Sequence, residues 1–223
     1  MPRTAATFYF DFISPYAYLA WHRLPKLVAA HELELELVPI LFAGLLNHYG
    51  QLGPAEVEPK REFVFRQAFR RGHRLGLRLS PPPGHPFNPL LALRVASLAE
   101  DLKHQQQVIT ALFEATWGGG PGIHTPALIC EALDNAGLDG AALIAQATTP
   151  QGKLRLRTAT DTAIEKGVFG VPTILTGGEV FWGDDSIAED LPRCLRGEDP
   201  LDHELLAKWS HTQPVAVRPG SKR

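Results

Sequence analysis

The sequence predicts an α/β fold in which one mixed sheet is assembled from the two ends of the chain. Three observations carry this. Residues 7 to 40 read strand, helix, strand; residues 42 to 166 contain no convincing strand; residues 173 to 195 read strand, turn, strand, helix. The first unit is expected to be a right-handed βαβ crossover.

Each element has a local reason. Thr7 to Phe12 (TFYFDF) is aromatic and β-prone. Ser14-Pro15 breaks it, and Pro15 to His31 has helical spacing, with Tyr18, Leu19, Leu24, Leu27 and Val28 apolar and Lys26 turned outward. In HELELELVPI, Glu32, Glu34 and Glu36 alternate with Leu33, Leu35 and Leu37, a period-two strand with one wet face. FAGLLNHYGQLGP reads as a short helix and loop, PKREFVFRQAFRRGHRLG as a helix with a basic face, and SPPPGHPF as a stiff linker. NPLLALRVASLAEDL opens with an Asn cap and a first-turn proline. QQQVITALFEATW is a helix stopped by Gly118-Gly119-Gly120, and TPALICEALDNAG one capped by Thr125 and stopped by Gly137. DGAALIAQA and TPQGKLRLRTATDTAIEKG complete the helical block. VPTILTGGEVFWG is a hairpin, Thr173 to Leu175 and Glu179 to Trp182 flanking Gly177-Gly178, and Asp184 or Asp185 is expected to cap a last helix ending near Leu195.

That order, βαβ, helical block, ββα, is the order of a thioredoxin-like fold carrying a large all-α insertion. It divides the chain into a discontinuous thioredoxin-like unit, residues 1–40 and 165–210, an inserted helical domain, residues 41–164, and a flexible tail, residues 211–223.

Composition narrows the function. A chain of 223 residues with 44% hydrophobic content can bury a core plus a subdomain. The net charge of −2 gives no global pull toward nucleic acid or a membrane surface. No apolar run approaches the roughly 18 residues of a membrane span. The start, MPRTAATFYFDF, has no signal-peptide pattern, so a cytoplasmic location is expected. Cys130 and Cys194 are far apart and outside any C-x-x-C, and read as small core hydrophobes. The nine histidines show no ligand spacing, so no metal is expected.

Ser14 stands where a thioredoxin-like redox enzyme starts its first helix with C-x-x-C; here the four residues are Ser14-Pro15-Tyr16-Ala17, and dithiol exchange is impossible. A serine before a proline is an ordinary helix cap. It is also a hydroxyl at a helix N-terminus, where unpaired N–H groups and the dipole favour an anion such as a thiolate supplied by a cofactor. The two readings are compatible.

The opening FYFDFISPYAYLA, the run GVFGVPT, the following FWGDDS and the insertion segment GQLGPAEVEPKR together resemble the 2-hydroxychromene-2-carboxylate isomerases, relatives of the kappa-class glutathione transferases on the fold of DsbA. The resemblance implies a glutathione-dependent cis–trans isomerase acting on 2-hydroxychromene-2-carboxylate or a related aromatic unsaturated keto acid, and a homodimer. It implies that Ser14 is the catalytic hydroxyl that stabilises the thiolate, and that Pro172 is cis so that Val171 presents its backbone to glutathione. Gln51 would hydrogen-bond the peptide and Lys60 pair with its glycyl carboxylate. Asp185 would meet the γ-glutamyl ammonium at the last helix. Asp184 departs from the pattern, which has a neutral residue there, and would repel the ligand's carboxylate unless it turns away. Ser186 stands where an arginine is common.

The run Arg61, Arg66, Arg70, Arg71, Arg74, Arg78 reads as a solvated face, with one or two members available to hold an acidic substrate. Tyr16, Phe42 and Trp182 are candidates for an aryl pocket, as are His85 and Asn88 for its lining. The alternatives are a kappa-like transferase using the same site and a non-enzymatic thioredoxin-like binding module.

Overall fold

The computed structural model describes residues 3–98, 101–213 and 215. Most of the tail expected to fray, and residues 99 and 100 of one expected helix, lie outside them. The elements run β1 (Thr4–Phe10), α1 (Pro15–His31), β2 (Leu33–Pro39), α2 (Phe42–Tyr49), a 3₁₀ turn (Pro54–Glu56), α3 (Glu58–Arg74), α4 (Leu90–Ala96), α5 (Leu102–Trp117), α6 (Pro126–Asn135), α7 (Gly140–Thr148), α8 (Pro150–Glu165), β3 (Thr173–Thr176), β4 (Glu179–Trp182), α9 (Gly183–Leu195) and α10 (His203–Ser210). The sheet has four strands in the order β2-β1-β3-β4. β1 runs parallel to β2 through the α1 crossover and antiparallel to β3, so both ends of the chain meet at the central strand. No helix among the described residues is long and apolar enough to cross a membrane.

β1 ends at Phe10, two residues before the expected boundary, because Asp11 turns the chain. Its carboxylate accepts from the Ile13 N–H at 3.0 Å, a side-chain turn that competes with the strand ladder. β2 keeps the alternation read from its sequence: Leu33 and Leu37 are buried while Glu34 and Glu36 face water on this edge strand. Phe8, Phe10 and Phe12 are fully buried, and Phe12 meets Phe113 of α5 edge-on at 4.8 Å. Each such ring contributes about 2–3 kcal/mol by leaving water. This apolar cluster joins β1 and α1 to Leu93, Ile109, Leu112 and Leu133, so the core runs continuously from the sheet into the helical block.

Three expectations need correction. Both cysteines are free and only half-buried: Cys130 lies at 3.4 Å from Asp134, outside the core cluster, and Cys194 packs against the core with Glu179 at 3.9 Å. Neither Asp184 nor Asp185 is the N-cap of α9; Trp182 is, and the two acids occupy the first turn. A further helix, α10, follows the one expected to be last, its N-cap Asp202 accepting from Glu204 and Leu205.

Candidate active site

The loop between β1 and α1 is held on every side. Asp11 is fully buried; one carboxylate oxygen accepts from Ile13 and the other from the Phe42 N–H at 2.9 Å, tying the loop to the start of α2. Burial pushes the Asp11 carboxyl up to about 7, against the two backbone donors, which pull it down. The Phe12 carbonyl accepts from the Trp117 indole at 2.8 Å. The Ile13 carbonyl lies 2.9 Å from His85 Nε2, which must carry the hydrogen there because a carbonyl only accepts. Burial, chiefly, and then the charge of Arg61 lower the His85 pKa, against the hydrogen bond to Ile13.

Ser14 follows, 8% exposed, as the N-cap of α1. Its Oγ accepts from the Ala17 N–H at 3.2 Å. Among the described residues its hydrogen has only the Val171 carbonyl at 3.5 Å, a contact too long to hold it firmly. A better acceptor in the neighbouring space would take that hydrogen. The Val171–Pro172 bond is cis, as expected from the sequence, and the Val171 N–H has no hydrogen-bond partner among the described residues. Gly170 precedes it because a Cβ there would come within 2.3 Å of the Trp182 indole nitrogen.

Two cavities meet at Tyr16, Val171 and Trp182. The larger, about 1100 Å³, is mainly apolar and is lined by Asp11, Ser14, Tyr16, Phe42, Gln51, Arg61, His85, Asn88 and Trp182 among others. The smaller, about 530 Å³, lies over the start of α9 and is lined by Gln67, Arg71, Asp184, Asp185, Ser186, Glu189 and Asp190 besides the shared residues. Tyr16, on α1, donates to Gln67 of α3, and the Arg71 guanidinium lies over the Tyr16 ring at 5.4 Å.

The aspartate expected to repel a ligand is neutralised within the fold. Asp184 is 1% exposed, with Arg23 Nε at 2.7 Å from one oxygen and Arg71 at 3.2 Å from the other. Asp185, 63% exposed on its side chain, faces the cavity with Arg71 at 3.3 Å. Burial alone would raise the Asp185 pKa, but the hydrogen bond from Arg71, with backbone N–H groups, holds it below the usual carboxylate range. Gly183 has φ of +91° and no room for a Cβ, which would meet an Asp185 carboxylate oxygen at 2.7 Å.

The structure thus brings Ser14, Gln51, Val171, Asp184 and Asp185 to two adjoining cavities, with Pro172 beside them, and puts all three expected aromatics on the larger one. Lys60 is exposed on α3 and lines neither; its neighbour Arg61 lines the larger. Asp11, Arg23 and Gln67 were not singled out from the sequence. An acid inside an aromatic run was the available signal for Asp11. For the others it was spacing: Tyr16 and Arg23 share a face of α1 (i, i+7), Gln67 and Arg71 a face of α3 (i, i+4).

The profile of the DSBA-like thioredoxin domain matches residues 6–189. A 2-hydroxychromene-2-carboxylate isomerase of Pseudomonas putida is 31% identical over 81% of this chain and 89% of its own. One from Sphingobium xenophagum is 29% identical over 81% and 92%. The human glutathione S-transferase kappa 1 is 26% identical over 97% of each chain. A solved 2-hydroxychromene-2-carboxylate isomerase structure superposes with a TM-score of 0.74 at 28% identity, covering 86% of this chain and 97% of that one.

Proposed function

Because the chain belongs to the DSBA-like thioredoxin family, among the homologues of the 2-hydroxychromene-2-carboxylate isomerases, we propose that it is a glutathione-dependent cis–trans isomerase of 2-hydroxychromene-2-carboxylate or a related aromatic unsaturated keto acid. The observation that carries this is the Ser14 hydroxyl, which caps its helix through the oxygen and keeps its hydrogen nearly uncommitted on the larger cavity, beside Val171, which both cavities share.

The residues fit the tripeptide. The unpaired N–H of Val171, beside a cis proline, offers a short strand edge to an extended peptide. Asp185 offers a carboxylate to an ammonium, and the first turn of α9 offers N–H groups to a carboxylate. Arg23 and Arg71 cancel the charge of Asp184, which removes the repulsion a second acid would exert. Gln51 extends the site along the larger cavity. Glutathione, when bound, supplies a thiolate that adds reversibly to a conjugated double bond and so frees it to rotate.

Ser14 then donates a hydrogen bond to sulfur and, with the N-terminus of α1, favours the ionised form. The apolar walls with Tyr16, Phe42 and Trp182 take an aryl group and exclude water. A kappa-like transferase is the second reading, favoured by the kappa relative that spans 97% of the chain.

The test is a calorimetric glutathione titration of the wild type and Ser14→Ala, with thiolate absorbance followed against pH. A thiol ordinarily titrating near pH 8.5 is expected to fall by about one or two units on the wild type and not on the variant. Absence of binding at millimolar glutathione refutes the reading. Product analysis separates the two enzymes, since an isomerase consumes no glutathione.

A further inference from the structure

The basic run of α3 and the segment after it does not behave as one surface. Arg71 is bound to aspartates and Arg66 has Glu62 at 3.8 Å, while Arg70, Arg74 and Arg78 are exposed and line neither cavity. Arg61 differs from all of them. It is half-buried, it lines the larger cavity, and no carboxylate among the described residues lies within ion-pair distance of it.

Arg61 stands near the start of α3, whose N-cap Val57 makes no side-chain bond, so its charge lies towards the positive end of the helix, which Glu58 in the first turn offsets without pairing with Arg61. The acids on the cavity do not pair with it. Asp11 is engaged by two backbone N–H groups, and the Glu56 carboxylate accepts from the Gly53 N–H. Arg61 lines the cavity together with His85, whose pKa its charge helps to lower. The same cavity is lined by Phe63, Phe65 and Phe87. An uncompensated guanidinium against apolar walls is complementary to one ligand class, an aromatic ring bearing a carboxylate.

We propose that Arg61 binds the carboxylate of the aromatic substrate and so sets the specificity of the larger cavity for aryl acids. This rests on the isomerase reading for its biological meaning, and it is tested by binding alone. The glycyl carboxylate of glutathione presents the same chemistry from another source, so the two must be separated.

The probes are 2-naphthoate, its methyl ester and glutathione, each titrated calorimetrically into the wild type, Arg61→Leu and Arg61→Lys. Arg61→Leu is expected to weaken 2-naphthoate by about tenfold or more, the scale of a lost charge-assisted hydrogen bond. The methyl ester and glutathione should stay within about twofold, and Arg61→Lys should recover part of the acid's affinity. If glutathione weakens and 2-naphthoate does not, Arg61 serves the glycyl end and the proposal is overturned. It is equally overturned if the acid and its ester weaken alike, if nothing changes, or if the wild type takes up no 2-naphthoate at millimolar concentration. A wild type that holds 2-naphthoate through Arg61 and ignores glutathione would sink the isomerase reading and leave this assignment standing.

Discussion

Asp11 and Asp184 are both withdrawn from water, at opposite ends of one site, and the fold treats them in different ways. Asp184 joins α9 to two guanidiniums, Arg23 from α1 and Arg71 from α3. Asp11 has no cation among the described residues, only the N–H groups of Ile13 and Phe42, and burial pushes its carboxyl up to about 7. Charge at the first position is compensated and serves as a structural tie across three helices. At the second it is barely tolerated, so a proton there is held or lost near neutrality. The contrast teaches that burial alone does not fix what an acid does; the partner set decides whether it becomes a strut or a titrating group.

Removing the charge at the compensated end tests the strut most severely. Asp184→Asn leaves Arg23 and Arg71 without their counter-ion. Both keep some access to water, so the cost is expected at the low end for a broken buried pair, about 3 kcal/mol, or a Tm drop of roughly 6–12 °C by thermal denaturation. A variant within 1 °C of wild type would show that the network carries no stability.

Asp11 sharpens the comparison through pH. Its native pKa lies above the ordinary value of 3.8, so the protonated native state is the favoured one. That contribution is complete below about pH 4 and is lost as pH rises through about 7, an effect of about 2–4 kcal/mol. Urea unfolding at pH 5 and pH 8 should show this loss in the wild type relative to Asp11→Asn, which cannot ionise. Parallel pH dependences of the two proteins would remove the titrating role.

The smallest effect belongs to the residue between them. Ser14→Ala deletes the cap on the Ala17 N–H and should cost about 1 kcal/mol in urea unfolding, independent of pH. A larger loss would mean that the hydroxyl is a structural member first.

Periodicity made the elements readable. The Glu-Leu alternation of β2, the Ser14-Pro15 start of α1 and the Thr125 cap of α6 depend on neighbours a few residues away, and each stands in the structure. The isomerase-like motifs likewise pointed to Ser14, Val171 and Asp185, which converge on the two cavities. What stayed hidden depends on packing between distant segments. Nothing in FWGDDS says that Asp184 faces two arginines 113 and 161 positions away. The basic run of α3 looked uniform until the fold sent Arg71 to one cavity and Arg61 to the other. The β1 boundary was missed for a local reason, the Asp11 turn, which an acid in an aromatic run could have signalled.

The placement of β1 at the centre of the sheet also has a consequence on the ribosome. β1 is complete at residue 10 and β2 at residue 39, but the strand that covers the other side of β1 ends only at residue 176. At a synthesis rate of about 5–20 residues per second, the nascent chain carries an open, aromatic strand edge for on the order of ten seconds or more. The helical block is translated in that interval, and the partner that closes the edge emerges only after it.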